Sequence, residues 1–147
     1  MRKILIATHG RTASGIRSTV ELFMGELPIE CIDAYLGGAE ENYVIDIKKF
    51  VESITVDDEA YIFTDLLGGS VHQQVIAEVM KFSQKKIVVI TNVNVAIVIE
   101  LLTNQKFKSV EEVNQMVTEI NMMPVAVDPL KLFEHHHDFI NDDDFLD

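Results

Sequence analysis

Apolar and polar positions alternate along the chain in two rhythms. Short apolar runs at residues 3–8, 29–35, 60–64 and 86–91 predict strands. Between them apolar residues recur at helical spacing. Residues 14–25 predict a helix burying Ile16, Val20, Phe23, Met24 and Leu27. Residues 40–53 predict another, after a Gly37-Gly38 turn, with Val44, Ile47, Val51 and Ile54 inward. A loop over residues 65–70 ends at Ser70, read as an N-cap. It leads into a helix carrying Val71, Val75, Val79 and Phe82. After a loop at 92–94, residues 95–102 read as a short helix. Ser109 and Glu112 have capping-box spacing and start the last one. Residues 123–127 predict a shorter fifth strand. Alternating strands and helices mean an α/β fold, a doubly wound and mostly parallel sheet covered on both faces.

Composition narrows the picture. The 147 residues, 48% of them hydrophobic, suit one domain with a real core. We read residues 1–127 as that domain and 128–147 as an acidic tail carrying Asp138, Asp142, Asp143, Asp144 and Asp147. No apolar run reaches the roughly 18 residues of a membrane span. The apolar start is cut short by His9, Gly10 and Arg11, so it reads as a strand rather than a leader, and the protein as cytoplasmic. A single cysteine, Cys31, excludes an internal disulfide and reads as a buried small hydrophobe. A net charge of −12 argues against nucleic acid and favours a partner with a basic docking face. His135-His136-His137 lies within the acidic tail, and no metal site is assigned to it.

Sites in open parallel sheets form beyond the carboxyl ends of the strands, where neighbours send their connections to opposite faces. His9 follows the first strand, Asp65 the third, and Asn92 and Asn94 the fourth. In strand order 2-1-3-4 the first and third strands are neighbours, so His9 and Asp65 face one crevice. A carboxylate accepting Nδ1–H fixes the tautomer and leaves the Nε2 lone pair outward as a nucleophile. Gly10, Gly68, Gly69 and Ser70 lie at helix N-termini, where free N–H groups and the dipole favour a phosphate. Arg11 can hold the same phosphate or simply be a solvated charge. Taken singly, each feature has an ordinary reading: a structural histidine, a capping aspartate, a Gly-Gly turn. Their joint placement carries the functional one.

Thr8-His9-Gly10 and Asp65-Leu66-Leu67-Gly68-Gly69-Ser70 together resemble the mannose/fructose/sorbose-type enzyme IIA family of the sugar phosphotransferase system. The likeness covers about residues 1–127. It implies phosphorylation of His9 on Nε2, with Asp65 holding the other ring nitrogen and Ser70 at the phosphate. It implies the histidine-containing phosphocarrier protein as donor, enzyme IIB as acceptor, no cofactor and no metal. The family fold is a homodimer whose antiparallel fifth strand is exchanged between subunits. The chain departs from the family pattern at Val71-His72-Gln73, where Pro-Phe-Asn is common, and at Leu66, where some members have Thr. It also has Asn94-Val95-Ala96 where Asn-Leu-Pro is common. With no Ala/Pro-rich linker, it reads as a stand-alone IIA.

Rival readings fit less well. The phosphotransfer subunit of dihydroxyacetone kinase usually has Gly-Ser-Ala in place of Gly68-Gly69-Ser70. A phosphorylation-regulated, receiver-like module would carry paired acids where Thr8-His9 stands. A nucleotide loop fails at Ile16-Arg17, where Lys-Ser/Thr should follow the second glycine.

Overall fold

A computed structural model describes residues 1–37 and 42–131. Gly38, the first residues of the expected second helix, the His135-His136-His137 run and most of the acidic tail lie outside the described residues. The order is β1 (Arg2–His9), α1 (Thr12–Met24), β2 (Ile29–Ala34), α2 (Tyr43–Ser53), β3 (Glu59–Thr64), α3 (Ser70–Val79), β4 (Lys86–Ile90), α4 (Val95–Thr103) and α5 (Val110–Glu119). The strands form a parallel sheet in the order β2-β1-β3-β4, as the sequence predicted.

Strand alternation splits the core in two. Ile4, Ile6, Tyr61, Phe63, Val88 and Ile90 pack against α1, α4 and α5 on one face. Leu5, Ala7, Ala60 and Ile62 pack against α2 and α3 on the other. The central strands bury both faces, which is why they read as continuous apolar runs. The chain leaves β1 toward the α1 face and leaves neighbouring β3 toward the α3 face. That divergence opens the crevice at their carboxyl ends. Ala7 pairs with Thr64, so His9 and Asp65 emerge at nearly the same height.

Several local expectations change. Phe23 is 72% exposed, because α1 buries the narrower stripe of Ala13, Ile16 and Val20, continued by partly buried Met24 and Leu27. Residues 123–127 join no strand among the described residues, and Val125 and Val127 are exposed. Cys31 is half-buried, and burial pushes its thiol up to about 11, which keeps it unreactive. The capping box of Ser109 and Glu112 forms as read. No helix among the described residues is long and apolar enough to cross a membrane.

Candidate functional site

The site begins where β1 ends. Gly10 turns the chain with φ +57, a conformation only glycine adopts freely, and its N–H donates to the Ala34 carbonyl at 2.7 Å. His9 is therefore held at the sheet rim. Its backbone N–H donates to Asp65 Oδ2 at 2.9 Å, while its Nδ1 lies 3.1 Å from Oδ1 and 3.0 Å from Oδ2. The Leu66 N–H donates to Asp65 Oδ1 at 3.0 Å. Burial pushes the Asp65 carboxyl up, but the His9 backbone N–H, the His9 ring and the local backbone outweigh it. The net effect holds the carboxyl below its ordinary range.

A carboxylate can only accept, so Nδ1 carries the proton and Nε2 the lone pair. Ser70 Oγ lies 3.1 Å from Nε2, and its O–H is the donor. The Tyr35 hydroxyl donates to Ser70 Oγ at 2.9 Å. The Tyr43 hydroxyl lies 3.0 Å from that of Tyr35 and, since Tyr35 has spent its single proton, is the donor there. The Tyr35 ring stacks on the His9 ring, with planes 4° apart and centroids 5.4 Å apart.

The loop before α3 sets Ser70. Gly68 takes φ +75, and Gly69, whose N–H donates to the Leu66 carbonyl at 3.0 Å, is the N-cap. Ser70 is thus the first helical residue rather than the cap, because its hydroxyl is turned to His9 and Tyr35. A Cβ on Gly69 would meet Leu66 Cβ at 3.2 Å and His9 Cε1 at 3.3 Å, so this glycine makes room for the ring.

His9, Asp65, Gly69 and Ser70 therefore come together, with Gly10 and Gly68 shaping the loops on either side. Arg11 is exposed and serves as the N-cap of α1. Asn94 caps α4 by accepting from the Ile97 N–H at 3.0 Å. Asn92 occupies a left-handed turn, φ +53. Neither is hydrogen-bonded to His9 or Asp65. His72 pairs its Nδ1 with the buried Thr64 hydroxyl at 2.9 Å. Sequence reasoning missed Tyr35 and Tyr43. The signal was available: Tyr35 directly follows β2, the other neighbour of β1, but it reads as the end of an apolar run.

A family model described as PTS system fructose IIA component matches residues 3–118. None of the curated proteins compared matches the chain. Among solved structures, phosphotransferase system component EIIA from Streptococcus agalactiae is 26% identical at a TM-score of 0.70, covering 86% of this chain and 97% of its own. The PTS IIA protein associated with the fucose utilization operon of Streptococcus pneumoniae is 26% identical at 0.67, with coverages of 84% and 92%. The mannose/sorbose specific IIA subunit from Enterococcus faecalis shares the fold at 19% identity and 0.55, with coverages of 87% and 96%.

Proposed function

The chain belongs to the family of PTS system fructose IIA components, and from that premise we propose that it is a phosphocarrier accepting a phosphoryl group on His9. The observation that carries this reading is the pairing of His9 Nδ1 with Asp65, which leaves Nε2 outward at the N-terminus of α3. The donor is the histidine-containing phosphocarrier protein and the acceptor is enzyme IIB of a sugar permease. All three act at the cytoplasmic side.

The Nε2 lone pair attacks the phosphorus in line with the donor's P–N bond. As the new N–P bond forms, the old one breaks and its electron pair returns to the donor imidazole. The His9 ring becomes a phosphorylated imidazolium, and the Asp65 carboxylate offsets that charge across Nδ1–H. The Ser70 proton swings from Nε2 to a phosphoryl oxygen. The first N–H groups of α3, which a helix leaves without internal partners, hold the equatorial oxygens. Of the expected backbone donors, the N–H groups of Gly10 and Gly69 are already engaged by Ala34 and Leu66. Those two glycines therefore act through shape, Gly69 by leaving room for the His9 ring, and the Ser70 hydroxyl, 3.1 Å from Nε2, is the side-chain donor at hand.

The proposed unit is residues 1–127, with 128–147 as an appended tail. It is a homodimer in which residues 123–127 pair with the partner subunit. Two features support this: β4 is an open edge, and an apolar groove of about 650 Å³ lies beside it, lined in part by Val88, Ile90, Val113 and Met122.

The test incubates wild type and His9→Ala with phosphoenolpyruvate, enzyme I and the histidine phosphocarrier, and follows intact mass. An acid-labile gain of one phosphoryl on wild type alone is expected. No gain on folded wild type rejects the reading.

A further inference from the structure

We propose that Tyr35 is a positioning residue for His9, clamping the imidazole by stacking and aiming the Ser70 hydroxyl at Nε2; this rests on the phosphocarrier reading. Three observations converge. Tyr35 sits at φ +66, a conformation that a bulky residue rarely takes, directly after β2. In that conformation its ring lies parallel to that of His9, 4° apart with centroids 5.4 Å apart, an offset stack that flanks one face of the imidazole. Its hydroxyl reaches past the ring to donate to Ser70 Oγ at 2.9 Å and is itself met by the Tyr43 hydroxyl at 3.0 Å.

The consequences follow from hydrogen-bond inventory. Ser70 has one proton and two lone pairs. Because Tyr35 fills a lone pair, the Ser70 proton is left to Nε2 before transfer and to a phosphoryl oxygen after it. Asp65 fixes one edge of the imidazole, Ser70 the other, and Tyr35 one face, so the ring keeps a single orientation without paying for it at each encounter. Holding the ring against Asp65 and Ser70 also keeps the phosphoryl oxygens on their donors rather than turned out to water, which slows hydrolysis. The stack and the hydroxyl thus have separable effects.

The experiment uses the full chain as wild type, Tyr35→Phe, Tyr35→Ala and Tyr43→Phe. Transfer from the phosphorylated histidine phosphocarrier is followed by rapid quench, and the phosphohistidine half-life after removal of the donor by intact mass. NMR of the unphosphorylated protein reports the ring-current shifts of the His9 protons. Tyr35→Phe is expected to keep the half-life and the ring-current shifts while slowing transfer about fivefold, the worth of one neutral hydrogen bond. Tyr35→Ala is expected to lose the ring-current shifts, shorten the half-life several-fold and slow transfer further. Tyr43→Phe is expected to act as a weaker Tyr35→Phe. Tyr35 is 58% exposed, so the folded signal should persist in every variant. A wild type phosphorylated on His9 whose rate and half-life are matched within twofold by Tyr35→Ala overturns the inference alone. A wild type that takes no phosphoryl group overturns the phosphocarrier reading and the inference with it.

Discussion

Helices α1 and α3 both begin beside His9, on opposite faces of the sheet, yet their first turns are treated differently. At α1 the chain satisfies its own donors. The Ala13 N–H is bound by Thr8 Oγ1 at 2.8 Å and the Ser14 N–H by Asp33 Oδ1 at 3.0 Å. At α3 the N-cap is Gly69, which has no side chain to give, and the nearest hydroxyl, that of Ser70, is turned to His9. A helix N-terminus attracts anions only as far as its N–H groups remain unclaimed. The α1 end is therefore a brace that fixes the β1 loop, and the α3 end is the one whose free N–H groups the proposed phosphoryl group would use. The two acids divide in the same way: Asp33 accepts from the first turn of a helix, whereas Asp65 holds the His9 ring.

Charge on the α3 side should matter most. Asp65→Asn keeps the size of the side chain but can present an amide donor to Nδ1, which disturbs the tautomer. Transfer from the phosphorylated histidine phosphocarrier to His9 should fall about 100-fold or more by rapid quench, with the circular dichroism unchanged. An unchanged rate would remove Asp65 from the mechanism. The same variant carries a pH signature. The wild-type carboxyl is held below its ordinary value of 3.8, so its contribution to stability is complete above that pH. It is lost as pH falls through the lower folded value. Urea melts from pH 5 down to pH 2, a range of about three units around that window, should show wild type losing stability faster than Asp65→Asn. Parallel curves would mean that the pair contributes nothing to folding.

The opposite signature is expected at the α1 end. Thr8→Val is close to isosteric but leaves the Ala13 N–H buried without a partner, since Thr8 and Ala13 are both fully buried. Urea denaturation should register a loss of about 2 kcal/mol, while transfer stays within about threefold of wild type. Ser70→Ala should do the reverse. Transfer should drop about tenfold, since a hydrogen bond to a charged phosphoryl group is lost. Stability should barely move, because Ser70 does not cap α3. A destabilised Ser70→Ala would mean that the α3 terminus depends on this hydroxyl after all.

The sequence carried the parts of this arrangement that rest on periodicity and on strand order. Continuous apolar runs identified β1 and β3 because both strands are buried on both faces. His9 and Asp65 followed as the polar residues at their ends. What it did not carry depends on where a particular backbone turns. Tyr35 looks like one more apolar residue until a left-handed φ swings its ring over His9. Ser70 has the composition of a cap, and only the extended backbone of Gly69 moves the helix start back by one residue. Phe23 has acceptable spacing for the core, but α1 meets the sheet along a stripe one residue away, and the side chain stays outside. Residues 123–127 have strand composition, yet composition does not supply a pairing partner, and they join no strand among the described residues.

The smallest effect belongs to Asp33, and it is the sharpest control on the comparison. Asp33 and Asp65 are both carboxylates near the rim of the sheet, one on β2 and the other directly after β3, the two strands that flank β1. Both accept from a backbone N–H, Ser14 for one and His9 for the other. If rate depended on the general negative potential around His9, neutralising either would slow transfer to a similar degree. If it depends on contact with Nδ1, only Asp65 matters. Asp33→Asn retains a side-chain oxygen able to accept from Ser14, so stability should fall by only a few tenths of a kcal/mol, about 0.5 at most. Transfer should remain within twofold of wild type. A loss approaching that of Asp65→Asn would erase the distinction between brace and reactive end, and would assign the chemistry to the field of the whole crevice.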